Sequence, residues 1–433
     1  MSERKKLWSG DVPETWKVAP LKHCIAFRSD SLSEGTNPDY WFRYVDIGSV
    51  TACSGVTGYA EMAFRDAPSR ARKRVRRGDT IVSTVRTYLK AIARIEDDED
   101  VIVSTGFAVL EPCEFDSLYL TFLICSDLVC EEIERRSWGI AYPAISETSM
   151  SSIIVPIPPL FEQQLIADHL RRACAKLDSA CSVLERQLQT LDDYRKSLIQ
   201  EAVTKGLNPD VELKPSGIDW IGIIPAGWKT TKLKGLVRHF ESGTSVRAAQ
   251  YPAIDGEPGV LSLSAVFQGR FNADANKAVG DDEAPRLSCP VRYGTLLVSR
   301  CNTSEWVGTA ALVDKECDNL YLPDKIWQID CETSLHNRYV RYALSSPYAR
   351  AYCWMMSVGA SESMQNIASF DLLNMPFAIP ETIEEMQAVV EYLDDKISKV
   401  DALIAGKRKQ LETLRAQRQS LIYEYVTGKR RVV

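Results

Sequence analysis

Two stretches of the chain carry apolar residues at a steady seven-residue interval. In the first, Leu170, Leu177, Leu184, Leu191 and Leu198 recur, and Cys174, Cys181 and Leu188 fall four residues after three of them. In the second, Leu393, Val400, Leu414 and Leu421 hold the heptad positions, and Ile397, Ile404 and Leu411 hold the positions four later. Lys407 interrupts the second series where the first has Leu184. Alternating three- and four-residue spacing, kept this long, predicts a coiled-coil seam. Each helix is expected to run about 40 residues, or about 60 Å at about 1.5 Å per residue. Pro158-Pro159 and Pro380 precede the two series, and Glu162, Glu384 and Glu385 fall in the first turns, where the helix dipole favours anions. Either helix alone would leave its seam bare, so the obvious partner of each is the other.

The remaining sequence reads as shorter elements. Tyr44-Val45-Asp46-Ile47 and Val260-Leu261-Ser262-Leu263 alternate like half-buried strands, and Thr80–Ser83 and Thr295–Ser299 read as strands after a glycine turn. Leu118 to Arg135 and Asn337 to Tyr352 read as helices, and Gly206 to Gly222, with Asn208-Pro209, Pro215 and Gly217, as a linker. These elements occur twice in the same order. Val12-Pro13-Glu14-Thr15-Trp16-Lys17 matches Ile224-Pro225-Ala226-Gly227-Trp228-Lys229, and Val75-Arg76-Arg77-Gly78 matches Val291-Arg292-Tyr293-Gly294. Ile157-Pro158-Pro159 matches Ile379-Pro380-Glu381, and Arg195–Ile199 matches Arg418–Ile422. A repeat of this kind sets the architecture: a mixed α/β globule followed by a long helix, written twice. The expected boundaries are a globule over 1–156, a helical spacer over 157–205, a linker over 206–222, a second globule over 223–378 and a second spacer over 379–433. Antiparallel pairing of the helices would bring pseudo-two-fold symmetry, which matches the symmetry of a DNA duplex.

Composition changes this picture little. The 433 residues are 45% hydrophobic and 25% charged, an ordinary soluble balance, and no apolar run approaches the about 20 residues of a membrane span. The start, Met1 to Lys6, lacks the apolar stretch of a secretory signal. The twelve cysteines have no CxxC pair or zinc-finger spacing and read as reduced core thiols of a cytoplasmic protein. The net charge of −6 argues against a protein that simply coats DNA, but not against a reader with confined basic surfaces.

Three motifs, the Ile-Pro-x-x-Trp-Lys opening, the Pro-Pro-Leu-Phe-Glu-Gln-Gln helix start at 158–164 and the Ser-Leu-Ile…Val-Thr-Gly-Lys ending at 420–429, resemble those of Type I restriction–modification DNA specificity subunits. The resemblance covers nearly the whole chain. It implies two target-recognition domains, each reading one half of a split site in double-stranded DNA. The two long helices would form an antiparallel coiled coil that sets the spacing. It implies docking of two methyltransferase subunits and up to two restriction subunits, and a place in the prokaryotic cytoplasm. Related methyltransferase-only or fused systems, and a coiled-coil scaffold, are the alternatives. Two departures stand out: the first helix ends Val203-Thr204-Lys205-Gly206, and the second opens Pro-Glu-Thr-Ile-Glu-Glu. Neither alters a seam position.

No catalysis is expected of this chain. Asn37-Pro38-Asp39-Tyr40 is the nearest approach to an adenine-methyltransferase loop, but its third position is Asp, and it reads as a surface turn. A Walker A loop is missing. No cofactor is expected here; S-adenosylmethionine, ATP and magnesium would belong to partner subunits. The acidic run Glu96 to Asp100 reads as a solvated loop.

Candidate DNA contacts fall in three places. The basic cluster Arg70, Arg72, Lys73, Arg74, Arg76 and Arg77 can position phosphates. After the glycine turn, Ser83, Thr84, Arg86, Thr87, Tyr88 and Lys90 in the first half correspond to Ser299, Arg300, Asn302 and Thr303 in the second. Arg or Lys suits guanine O6/N7 and Asn suits adenine N6/N7, so two similar frames with different polar tips suit two different half-sites. The loops Trp138–Pro143, with Tyr142, and Ser357–Asn366, with Ser361, Gln365 and Asn366, would let backbone approach DNA closely; the family resemblance places this loop near DNA. Trp16 and Trp228 read as core anchors rather than stacking platforms.

Overall fold

A computed structural model describes residues 12–432 except 54, 98–99, 141, 255, 268 and 362–363. The charged start at Met1 to Lys6, Asp98 and Glu99 of the acidic run, and Ala141, Glu362 and Ser363 of the two loops lie outside the described residues. The chain divides into two compact units, Met1–Glu185 with Arg408–Val433, and Arg186–Lys407. Each unit therefore holds one globule and a portion of both long helices, Leu160–Lys205 and Ile383–Val426.

Both globules are mixed α/β and share one sheet order. In the first, Ile25–Phe27, Phe107–Pro112, Thr80–Ser83 and Ile92–Arg94 lie side by side; in the second, Val237–Ser242, Ile326–Cys331, Leu296–Ser299 and Ala310–Leu312 do the same. A second sheet centres on Trp41–Val45, parallel to Val101–Ser104, or on Gly259–Leu261, parallel to Leu320–Tyr321. The two differ at one edge. The first unit adds the basic strand Ala71–Arg74 against Val101–Ser104, whereas among the described residues of the second an isolated bridge from Pro290 to Tyr321 stands in its place. Proline has no N–H to donate, so a ladder cannot extend through it.

Each globule is closed by a short antiparallel pair, Lys17–Pro20 with Ile154–Ile157 and Lys229–Lys232 with Pro376–Ile379. The tryptophans one residue before these strands are buried, and each indole N–H donates to a carboxylate in the first turn of the following long helix: Trp16 to Glu162 at 2.7 Å, Trp228 to Glu385 at 2.8 Å. The sequence reading of them as core anchors agrees with this placement. A buried tyrosine completes each joint. The Tyr119 hydroxyl donates to the Val426 carbonyl, which a helix end leaves open, and the Tyr339 hydroxyl lies 2.8 Å from the Ala378 carbonyl and 3.3 Å from that of Val203 at the other helix end. Gly206 and Gly428, with φ of +72° and +75°, end the two helices against Trp228 and Trp16. The Lys-Gly order of the first ending and the Gly-Lys order of the second thus reach the same cap.

The helices pair antiparallel within each unit. In the first, Arg418 meets Asp178 and Arg415 meets Glu185, each at 2.8 Å, so numbers rise along one helix as they fall along the other. In the second, Arg195 meets Asp401 at 3.1 Å. Leu170, Cys174, Cys181 and Leu198 of the first series and Leu393, Ile397, Val400 and Leu411 of the second are buried.

Some expectations need correction. The helix expected over Leu118–Arg135 is two, Ser117–Cys125 and Asp127–Arg136, and that over Asn337–Tyr352 is Ser334–Ser345 and Pro347–Met356. The breaks are extended serines, Ser126 and Ser346, whose hydroxyls bond back to Leu123 and Ala343 carbonyls at 2.6 Å. The strands read to Ile47 and Leu263 stop at Val45 and Leu261 and give way to single 3-10 turns. The stretch 206–222 is not a bare linker: Leu213–Pro215 pairs with Ile223–Pro225, and Ile221 is buried in the second unit's core. All twelve cysteines are free thiols, and burial pushes those of Cys24, Cys174 and Cys353 up to about 11. No helix among the described residues is long and apolar enough to cross a membrane.

Candidate nucleic-acid interface

In the first unit, chain reversal after the strand Thr80–Ser83 is made with two left-handed residues. Arg86 (φ 50°) and Lys90 (φ 49°) bracket the 3-10 turn Thr87–Leu89. Left-handed non-glycine residues cost of order 1–3 kcal/mol and concentrate where function fixes the backbone. The loop after the helix pair folds onto this reversal. Val85 and Trp138 both bridge Ala144, Ile145 N–H donates to the Thr84 carbonyl, and the hydroxyls of Thr87 and Ser137 share a 2.9 Å hydrogen bond. The Arg86 guanidinium lies over the Tyr142 ring, 4.8 Å from its centre. Two segments separated by about fifty residues thus make one platform, with Arg86, Tyr88 and Tyr142 exposed on it.

The second unit builds the same platform more regularly. Cys301–Asn302 pairs with Met364–Asn366, which pairs in turn with Val358–Ser361, giving a small three-stranded sheet. Register sets Asn302 opposite Gln365 and Cys301 opposite Asn366. Arg300 is exposed next to them, and its N–H donates to the carbonyl of Lys325, an exposed cation that sequence reasoning missed because it lies in an unrelated turn. Asn302 turns its side-chain oxygen onto the Thr303 N–H at 2.8 Å, and Gln365 donates to the Ser361 carbonyl at 2.8 Å.

Not every expected contact residue offers a donor at the surface. Ser83 and Ser299 are buried and make the same bond, to the carbonyl two residues on: Val85 at 2.6 Å and Cys301 at 3.1 Å. Thr87 is buried as well, and the Thr84 hydroxyl is held by the Gly106 carbonyl at 2.9 Å. These four residues shape the platforms. Thr303 is half-buried, and its carbonyl accepts from Trp306 and Val307 N–H. Lys90 reaches Asp127 at 3.4 Å; burial works against its charge, but Cys130 and Asp127 outweigh it and hold the ammonium above the usual lysine range.

The basic cluster divides in the same way. Arg70 is exposed, and its carbonyl accepts from Thr105, next to the Gly106 that braces Thr84, so it adjoins the platform. Arg72 and Arg74 are half-buried, with their guanidinium groups over Phe64 and Tyr40 at 4.7 and 5.7 Å. Lys73 is spent on the fold, bonded at 2.8 Å to both the Phe107 carbonyl and Glu147. Arg76 and Arg77 are exposed at the turn beyond. Asn37–Tyr40 forms an exposed Asx turn, with Asp39 N–H on the Asn37 side chain at 3.0 Å. Among the described residues no three His, Cys, Asp or Glu side chains converge as a metal site would require.

Residues 65–187 match the family described as the Type I restriction modification DNA specificity domain. The matched span holds every candidate residue of the first unit, from Arg70 to Tyr142, and runs into the first long helix. The relatives that this chain resembles are specificity subunits by name. It is 25% identical to the EcoEI subunit of Escherichia coli, over 50% of this chain and 36% of that one. It is 24% identical to the EcoKI subunit of Escherichia coli K12, over 70% and 63%. The chain thus matches less than two thirds of the length of either. A Methanocaldococcus jannaschii relative, the MjaVIII specificity subunit, is 24% identical over 73% of this chain and 71% of its own. A solved chain from work on assembly and conformational transition of the type I R-M system shares the fold at a TM-score of 0.66. It is 20% identical, covering 97% of this chain and all of that one.

Proposed function

We propose that this protein is the sequence-reading subunit of a Type I restriction–modification complex, that each globule reads one half of a split site in duplex DNA, and that it performs no chemistry itself. One observation carries the reading. The same platform is built twice from matching segments, with different tips: exposed Arg86, Tyr88 and Tyr142 on one, and exposed Arg300 with half-buried Asn302, Gln365 and Asn366 on the other. A shared frame with unlike tips suits two unlike half-sites. Arg70, Arg76 and Arg77 would hold phosphates and fix register without reading bases. The paired long helices would dock two methyltransferase subunits, with up to two restriction subunits completing the nuclease, in the prokaryotic cytoplasm. S-adenosylmethionine, ATP and magnesium would then act on those partners.

The test is to co-express the full chain with its methyltransferase partner and map the methylated sites. Alanine at Arg86 should relax one half of the motif and alanine at Arg300 the other. A motif left unchanged by both would reject the platforms as readers. If the chain were a scaffold whose globules bind protein, duplex DNA would not shift with it at any salt concentration, whereas phosphate contacts give a steep salt slope.

A further inference from the structure

The first unit's platform carries an apolar load that its fold does not use. Trp138 is 75% exposed and Tyr142 65%, Ile140 between them is fully exposed, and Tyr88 and Leu89 are partly exposed on the adjoining turn. The hairpin's described ends are paired. Trp138 and Ala144 exchange both backbone hydrogen bonds at 3.0 Å, and Gly139 takes a φ of +108° at the tip, where a Cβ would stand 3.1 Å from the Tyr142 carbonyl oxygen. Next to this paired end and the left-handed Gly139, Ile140 is held out in water. Contiguous exposed apolar groups on this scale mark surfaces that something covers. At the corresponding place the second unit carries Val358, 73% exposed, and Met364, 48% exposed, together with Ser361, Gln365 and Asn366.

We infer that the first globule drives Ile140, flanked by Trp138 and Tyr142, between two base pairs of its half-site as an unstacking wedge. This rests on the reading of the platforms as DNA readers. What favours DNA over protein as the occupant is the cationic surround. Arg86 is held over Tyr142 by a left-handed backbone, and the exposed Arg70 stands one strand end away. Apolar side chains set among arginines are the means by which proteins part a base step and kink the duplex. The wedge reads sequence without a base-edge hydrogen bond, because pyrimidine–purine steps open more easily than stiff purine–purine steps. The first half-site is then read in part by how it deforms.

The test uses the full chain with its methyltransferase partner and duplexes carrying 2-aminopurine at successive positions of the first half-site, the methylated adenine excepted. The intact protein should raise the fluorescence at one step. Ile140→Ser should abolish that rise, and Ile140→Met should keep it. Changing the opened step to a stiff one should weaken binding by the intact protein roughly tenfold and leave Ile140→Ser unaffected. Because Ile140 touches no core, the variant folds; Trp138→Ala gives an independent second variant with the same expected loss. Specific binding without any rise, or a rise that survives Ile140→Ser, overturns the wedge while leaving the readers intact. Unchanged DNA binding with loss of the methyltransferase subunit would assign the tip to protein contact and overturn it too. If neither protein binds specifically, the underlying reading fails and the wedge with it.

Discussion

Asn366 is the residue whose replacement should separate reading from folding most cleanly. It sits in the middle of the small sheet, opposite Cys301 on one side and Val358 on the other, half-buried, with its amide making no hydrogen bond to any described residue. Adenine recognition through N6 and N7 needs both ends of an amide at once, an acceptor and a donor. Asn302 cannot supply both without giving up the Thr303 N–H, and the Gln365 amide already donates to Ser361. Asn366→Ala should therefore relax reading at one base pair by about 1–3 kcal/mol, or roughly 5- to 150-fold in discrimination. Stability should move by no more than about 0.5 kcal/mol, because no internal bond is broken. Asn302→Ala should relax its position less. The assay is single-molecule sequencing of methylated sites in cells expressing each variant with the methyltransferase subunit, with thermal melting of the purified chain alongside. A motif unchanged in Asn366→Ala, or greater relaxation in Asn302→Ala, would refute the ranking. A large drop in melting temperature in Asn366→Ala would refute the claim that its amide is unengaged.

Three further outcomes are expected. Arg70→Glu should weaken binding to every sequence alike and flatten the plot of log affinity against log salt by about 0.9 for each phosphate no longer neutralised; a changed motif with an intact slope would contradict a positioning role. The Arg292 guanidinium, bonded to Glu241 at 2.7 Å, holds that carboxyl below the usual range, so the pair stabilises the fold above the unfolded value and loses that contribution as pH falls through the lower folded value. Glu241→Gln should thus melt earlier than the native chain near neutrality, and the gap should close below about pH 4; a gap independent of pH would show that the charge is not involved. Inserting one heptad into each long helix, after Glu185 and after Lys407, keeps the seam and should lengthen the unread gap of the methylated motif by about three base pairs, from about 10.5 Å of helix. An unchanged gap would mean that the helices are not the ruler.

The parts of this architecture that follow from local repetition are legible in the sequence. The heptads specify two long helices, and the paired Trp16 and Trp228 are readable as anchors because the same residue opens both halves. Their partners, Glu162 and Glu385, are visible too, but only as first-turn anions; that they accept from the tryptophans is a tertiary fact. The helix breaks escape a sequence reading because apolar residues continue across Ser126 and Ser346, although Pro347 signals that a new helix starts there. The meeting of Cys301–Asn302 with Met364–Asn366 cannot be read, since neither segment is long or apolar enough to announce a strand. For that reason Asn302 stands out in the sequence as a base reader, when the register sets it beside a better-placed asparagine. Ser83 and Ser299 draw notice for their hydroxyls, and burial is the one property their position in the strand pattern should suggest.

The edge at which the two globules differ bears on time as well as on place. The first unit adds a strand of cations where the second has Pro290. Charge acts over a Debye length of about 8 Å at physiological ionic strength, whereas amides act only on contact. Approach to DNA should therefore have a direction. The first globule would be drawn in while the duplex is still distant and would hold any sequence loosely during a search, and the second would engage only once its bases are in reach. Rising salt would reverse the sequence of events, freeing the first globule's half-site before the second's.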